Sequence, residues 1–174
     1  MQQPSRHTLE RGRQFLARRR TRLSRLLQRD LEPPPPSGGL SEERRLFLLE
    51  EAEELYWNEL SWEQVTAEEG VGESGLVEFT FPGFLAFIEG LLLKEVMPDS
   101  AAPASPRPEV VEDVLAFLAA RCIELERVAD PDAPVEREVT ARLIDLVLYR
   151  QHDIAVEEVE RAEEEAPAPD QEQR

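Results

Sequence analysis

The sequence predicts an all-α protein: a compact bundle of four to five helices, preceded by a detached basic amphipathic helix and followed by a disordered acidic tail. Three observations carry that expectation. The 174 residues are 41% hydrophobic but only 6% aromatic, with 8 Gly, and Leu, Val, Ala and Glu are prominent, a balance that favours helices over a sheet. Apolar residues recur at helical spacing in successive stretches separated by Pro-rich breaks. The length suits one domain with a real core and is short for two once appendages are set aside. The expected organisation is a basic helix over 1–32, a Pro/Gly linker over 33–39, a helical domain over 40–151 and an acidic tail over 152–174.

Charge is distributed unevenly along this plan. The first 32 residues hold nine Arg against Glu10, Asp30 and Glu32, a net of +6 in a chain of net −17. The remainder therefore carries 11 basic and 34 acidic residues, a net of −23. An acidic body of this kind repels nucleic acid and anionic lipid, so contact with a polyanion is expected to go through the basic head.

Taken in order, residues 6–31 place Leu9, Phe15, Leu16, Leu23, Leu26, Leu27 and Leu31 in one helical arc. Arg11, Arg18, Arg22, Arg25 and Arg29 gather on the other side, while Arg13, Arg19, Arg20 and Gly12 interrupt the apolar arc. Pro33 to Pro36 end the helix, since proline lacks the amide donor and clashes with the preceding turn. The stretch PPPPSGG is expected to hold the helix away from the body as a stiff, then flexible, spacer.

Ser41 is a plausible N-cap, with Glu42 and Glu43 suited to the positive end of the helix dipole. That helix is expected to reach about Leu60, burying Leu46, Leu49, Ala52, Leu55, Tyr56 and Leu60 and leaving Glu50, Glu51, Glu53, Glu54 and Glu59 largely wet. SWEQ at 61–64 has the form of a capping box and predicts a break followed by a short helix to Gly70. LVEFTF at 76–81 alternates like a brief extended segment. Pro82 suits a first helical position, and 82–96, apolar nearly all round, is expected to be the central helix, with Phe84, Phe87, Ile88, Leu91 and Leu92 in the densest core. After a connector at 98–108, a helix over 109–128 should bury Val111, Val114, Leu115, Leu118, Cys122 and Leu125. A last helix over 135–151 should bury Val139, Leu143, Leu146 and Val147. From Asp153 onward, acids and prolines with few large apolar residues predict a disordered tail.

Signals for catalysis are sparse, and the chain is expected to be non-enzymatic. Its two histidines, His7 and His152, lie far apart in sequence, so no metal site and no cofactor are expected. Neither a nucleophile elbow nor a Walker-type or dinucleotide-binding glycine motif occurs, and VGESG at 71–75 is a glycine-bearing loop without a phosphate-binding lysine. Cys122 shares the core stripe and is expected to be a packed, inert thiol. A lone cysteine admits no intrachain disulfide, and a reduced cytoplasmic setting is the expectation. The run from Phe79 to Met97 is too interrupted by charge to span a bilayer.

Function is therefore expected to reside in binding. The predicted partner-binding residues are Arg11, Arg18, Arg22, Arg25 and Arg29 on the basic helix, with Trp57 and Trp62, which flank the expected helix break and are of a type enriched at interface hot spots. Docking to an acidic protein surface, whether this chain's own body, a second copy or another protein, explains both halves of the charge distribution and ranks first. Salt-dependent phosphate contacts to nucleic acid through residues 6–31 are the alternative. An anionic membrane surface is the weakest fit, because the arc lacks Trp and is broken by arginine.

Overall fold

The computed structural model of this chain describes residues 4–68, 80–92 and 106–166, the side chains of 62–68 excepted. Among the described residues are six helices and no strand: α1 (Arg6–Leu27), α2 (Glu42–Glu68), α3 (Pro82–Leu92), α4 (Pro108–Leu125), α5 (Ala133–Gln151) and α6 (Val156–Glu165). The expected extended stretch at 76–81 lies outside the described residues up to position 79, as does most of the 98–108 connector.

The hub is α4, and the expectation of a central helix over 82–96 is corrected accordingly. It begins on Pro108, whose missing amide costs nothing in a first turn. The predicted stripe of Val111, Val114, Leu115, Leu118, Cys122 and Leu125 is buried throughout. Val110, Ala119, Ala120 and Ile123 widen that stripe until α4 is covered on several sides. Helices α1, α2, α3 and α5 all pack on it. In α3, Phe84, Ile88 and Leu91 are buried, whereas Phe87 and Leu92 are only partly so.

Helix α1 is not detached. Ser5 caps it by accepting a hydrogen bond from the Thr8 amide at 3.1 Å. Its apolar arc lies against α4, with Leu16 and Leu23 buried in the same core cluster as the rest of the molecule. Gly12 explains how closely the two helices meet. A Cβ there would sit 3.0 Å from the Ala120 backbone nitrogen and 3.2 Å from its Cα. The helix ends at Leu27, short of the expected Leu31, because Gln28 adopts a left-handed conformation with φ of 53° and closes the last carbonyls.

The Pro/Gly segment is not a free spacer either. Ser37 donates from its amide and its hydroxyl to Glu109 at 2.9 and 2.7 Å, fastening the segment to the first turn of α4. Leu31 and Leu40 pack against the core on either side. Gly38 and Gly39 take φ of 76° and 73°, a turn that side chains with a Cβ adopt only under strain.

Helix α2 runs unbroken through the SWEQ sequence. No Pro or Gly interrupts it there, and the Ser61 hydroxyl donates back to the Trp57 carbonyl one turn earlier instead of capping a new helix. Its core ladder is Leu48, Ala52, Tyr56 and Leu60, four residues apart at each step. Leu46, expected inside, is 53% exposed because Leu46 to Leu49 are consecutive apolar residues and only one registry can face inward. Glu59, expected in water, caps α3: its carboxylate accepts from the amides of Gly83 and Phe84 at 2.7 and 3.0 Å.

The acidic end is also corrected in part. Residues 156–165 form α6, which packs on α1 and buries Val159, with Ile154 buried just before it. Residues 167–174 lie outside the described residues.

Candidate interaction surface

Helix α1 carries two sets of arginines with different fates. One set, Arg19 and Arg20 at the edge of the buried arc together with Arg11 and, just past the helix, Arg29, pairs with the body. Arg19 forks onto Asp145 of α5, at 2.9 and 2.6 Å. Arg20, its side chain only 12% exposed, donates to Glu112 of α4 at 2.7 Å and to the Gln151 side-chain oxygen at 2.8 Å. Arg11 reaches Glu126 at 3.1 Å, and Arg29 approaches Glu158 of α6 at 3.5 Å. These pairs connect α1 and the residues just after it to α4, α5 and α6. Bidentate, partly buried arginine pairs are the strong members of their class, whereas exposed pairs such as Arg29–Glu158 contribute little.

The other arginines include Arg6 and Arg13 toward the start of the helix and the group Arg18, Arg22 and Arg25. Arg18, Arg22 and Arg25 are exposed, they fall on consecutive turns, and among the described residues none has a carboxylate partner. The predicted stripe of five is thereby divided: Arg11 and Arg29 are tied to the body, and the middle three face outward. Arg19 and Arg20, which the amphipathic pattern treats as blemishes, are the best-partnered arginines of the helix. Their positions at the rim of the apolar arc were the available signal.

Trp57 stands apart from that stripe. It is half-buried on α2, edge-on to Tyr56 with ring centroids 5.1 Å apart, and the Arg121 guanidinium lies 4.9 Å from its ring centroid. Its indole nitrogen is buried and has no hydrogen-bond acceptor among the described residues. Arg121 in turn donates to Glu136 at 2.8 and 3.0 Å, and Tyr56 shares a buried 2.7 Å hydrogen bond with Thr140. The tryptophan is thus a packing element at the junction of α2, α4 and α5. The side chain of Trp62 lies outside the described residues.

A second exposed surface runs along α2. Leu46 and Phe47 are 53% and 46% exposed, flanked on the same helical face by exposed Glu43, Glu50 and Glu54. Arg44 lies over the Phe47 ring, 5.1 Å from its centroid. Burial, reinforced by the neighbouring Glu50 charge, holds the Glu53 carboxyl above the usual range, so this face is already crowded with like charge.

Burial alone would raise the Glu109 carboxyl, but the two hydrogen bonds from Ser37 outweigh it and leave the group below the usual range. Cys122 is fully buried as expected, and burial pushes its thiol up to about 12, far from a reactive thiolate. Among the described residues no His, Cys, Asp and Glu cluster suited to a metal ion is present, and no helix is long and apolar enough to cross a membrane. Comparison with protein-family models, with curated proteins and with solved structures returns no match.

Proposed function

We propose that this chain is a non-enzymatic interaction protein that docks a macromolecular partner with an acidic surface on the outward face of α1, through Arg18, Arg22 and Arg25. One observation supports the reading above the others. In a chain with 37 acidic residues, three exposed arginines on successive turns have no carboxylate partner among the described residues, while Arg11, Arg19 and Arg20 on the same helix each have one. The side of α1 that packs on α4 is occupied by the protein's own core, so the helix offers a partner its charge and not its leucines. Arginine suits this work because its planar fork matches a carboxylate with two hydrogen bonds. Docking of an acidic protein is favoured over nucleic acid because the outward face of α1 at Arg18, Arg22 and Arg25 carries no aromatic side chain to stack on bases.

The test replaces Arg18, Arg22 and Arg25 together by Gln and titrates both proteins against polyglutamate, duplex DNA and anionic vesicles at low and physiological salt. Three exposed pairs at about 0.5 kcal/mol each predict roughly a tenfold loss of affinity for polyglutamate, with the fold intact. Tighter wild-type binding to DNA at physiological salt selects the phosphate alternative. Equal binding by the two proteins removes the arginine face from function.

A further inference from the structure

We infer that the exposed face of α2 formed by Glu43, Leu46, Phe47, Glu50 and Glu54 is a docking site for the arginine face of α1 on a second copy of this chain. The inference rests on the proposed role of Arg18, Arg22 and Arg25 and names their partner. Both faces are outward and, among the described residues, neither set of charges is neutralised within its own chain. The arginines repeat at intervals of four and three, and Glu43, Glu50 and Glu54 at intervals of seven and four. At 1.5 Å rise per residue, Arg18–Arg22 and Glu50–Glu54 are each spaced by about 6 Å along their helices, so two side-by-side helices align the charges pair by pair.

Apolar chemistry supplies the rest of the match. Leu46 and Phe47 stand among the glutamates with nearly half their surface in water or more, an uncommon cost for adjacent large side chains. The outward face of α1 presents long arginine stems, which cover apolar surface with their methylenes, and a guanidinium that stacks on an aromatic ring. Arg44 already occupies such a position over Phe47 within the chain. Helices α1 and α2 are both long, 22 and 27 residues, and each packs on α4 with its opposite side, while Arg18, Arg22, Arg25 and Glu43, Glu50, Glu54 stay exposed. Because one copy carries both the donor and the acceptor face, the contact is made twice in a two-fold dimer, or propagates as an open chain where the two faces do not close. The overall negative charge opposes association at long range and is screened within about 8 Å at physiological ionic strength, whereas the contact pairs act at shorter distance.

A charge exchange between the two faces tests this. One variant carries Arg18→Glu, Arg22→Glu and Arg25→Glu; the other carries Glu50→Arg and Glu54→Arg. All substituted positions are exposed, and circular dichroism verifies the fold of each. Sedimentation velocity at physiological salt, over a concentration series, should show self-association of the wild type, a monomer for each variant alone, and recovery of association in their equimolar mixture. Phe47→Ala should weaken wild-type association by at least tenfold without affecting the fold. A wild type that stays monomeric throughout the series, variants that still self-associate, or a mixture that stays monomeric would overturn the inference. Polyglutamate binding separates the two claims: a monomeric wild type that binds polyglutamate through its arginine face leaves the proposed function standing, and loss of both removes both.

Discussion

Arg20 and Arg18 sit two residues apart on one helix in opposite environments. Arg20 reaches under the rim of the helix to Glu112 and Gln151, while Arg18 extends into solvent. Two residues turn a helix by roughly 200°, so sequence neighbours land on opposite sides. The lesson concerns basic helices in acidic chains: a high arginine count does not identify a free arm. Arg19 and Arg20, beside the apolar arc, latch the helix to its own body, whereas Arg18, Arg22 and Arg25 face outward with no carboxylate partner among the described residues.

Packing should dominate this comparison over charge, and the largest effect is expected at Gly12. Any side chain there meets the Ala119 and Ala120 backbone, which cannot move aside without disturbing α4. Gly12→Leu is expected to destabilise the protein by about 3 kcal/mol, the upper part of the usual overpacking range. Chemical denaturation measures the loss. Limited proteolysis locates it, with early cleavage in residues 1–40 if the helix is displaced as a unit. An unchanged denaturation midpoint would break the argument that α1 belongs to the core.

Next comes the comparison of the two arginines themselves. Arg20→Ala strips Glu112 and Gln151 of a partly buried charged donor and is expected to cost about 1–3 kcal/mol. Arg18→Ala removes an exposed group with no carboxylate partner among the described residues and is expected to stay within about 0.5 kcal/mol of the wild type. Paired thermal or urea denaturation of the two variants decides the point, and similar losses in both would erase the distinction between latch and free face.

Much of this arrangement is legible in the sequence, and what is not depends on which element packs against which. The stripes of α4 and α5 were visible because each has one dominant apolar face: the six residues expected to be buried in α4 and the four in α5 are all inside. The arc of α1 was equally visible. What covers it was not, because periodicity gives a face and says nothing of its partner. Gly12 looked like a weakness in an isolated helix and is a close-approach residue in a packed one. In α2 the consecutive Leu46, Phe47, Leu48 and Leu49 allow two registries, and the inward choice depends on α4 and α5. The Ser61 signal failed because a serine hydroxyl bonds backwards along a helix as readily as it caps one. At the acidic end, Ile154, Val156 and Val159 were sufficient to suggest a helix, but the density of glutamates obscured them. Of the site, the outward face of Arg18, Arg22 and Arg25 was readable, and the division of the five-arginine stripe required the positions of Glu126 and Glu158.

The smallest expected effect sharpens the electrostatic side of the comparison, on the α2 face rather than on α1. Arg18, Arg22 and Arg25 leave like charges spread over successive turns in water, whereas Glu53 is half-buried beside Glu50, and burial and repulsion together raise its carboxyl above the usual range. A carboxyl whose folded-state value is raised binds its proton more readily in the folded than in the unfolded chain. Its contribution to stability therefore falls as pH rises through the window between the ordinary glutamate value and the raised one, and the cost is fully present above that window. Removing the charge with Glu53→Gln is accordingly expected to raise the thermal midpoint at neutral pH, by a degree or two given that exposed like-charge pairs contribute a few tenths of a kcal/mol. The gain should disappear below about pH 4, where the wild-type carboxyl is itself protonated. Thermal unfolding of both proteins across that range gives the answer, and a gain that persists undiminished at low pH would assign the effect to side-chain packing instead of charge.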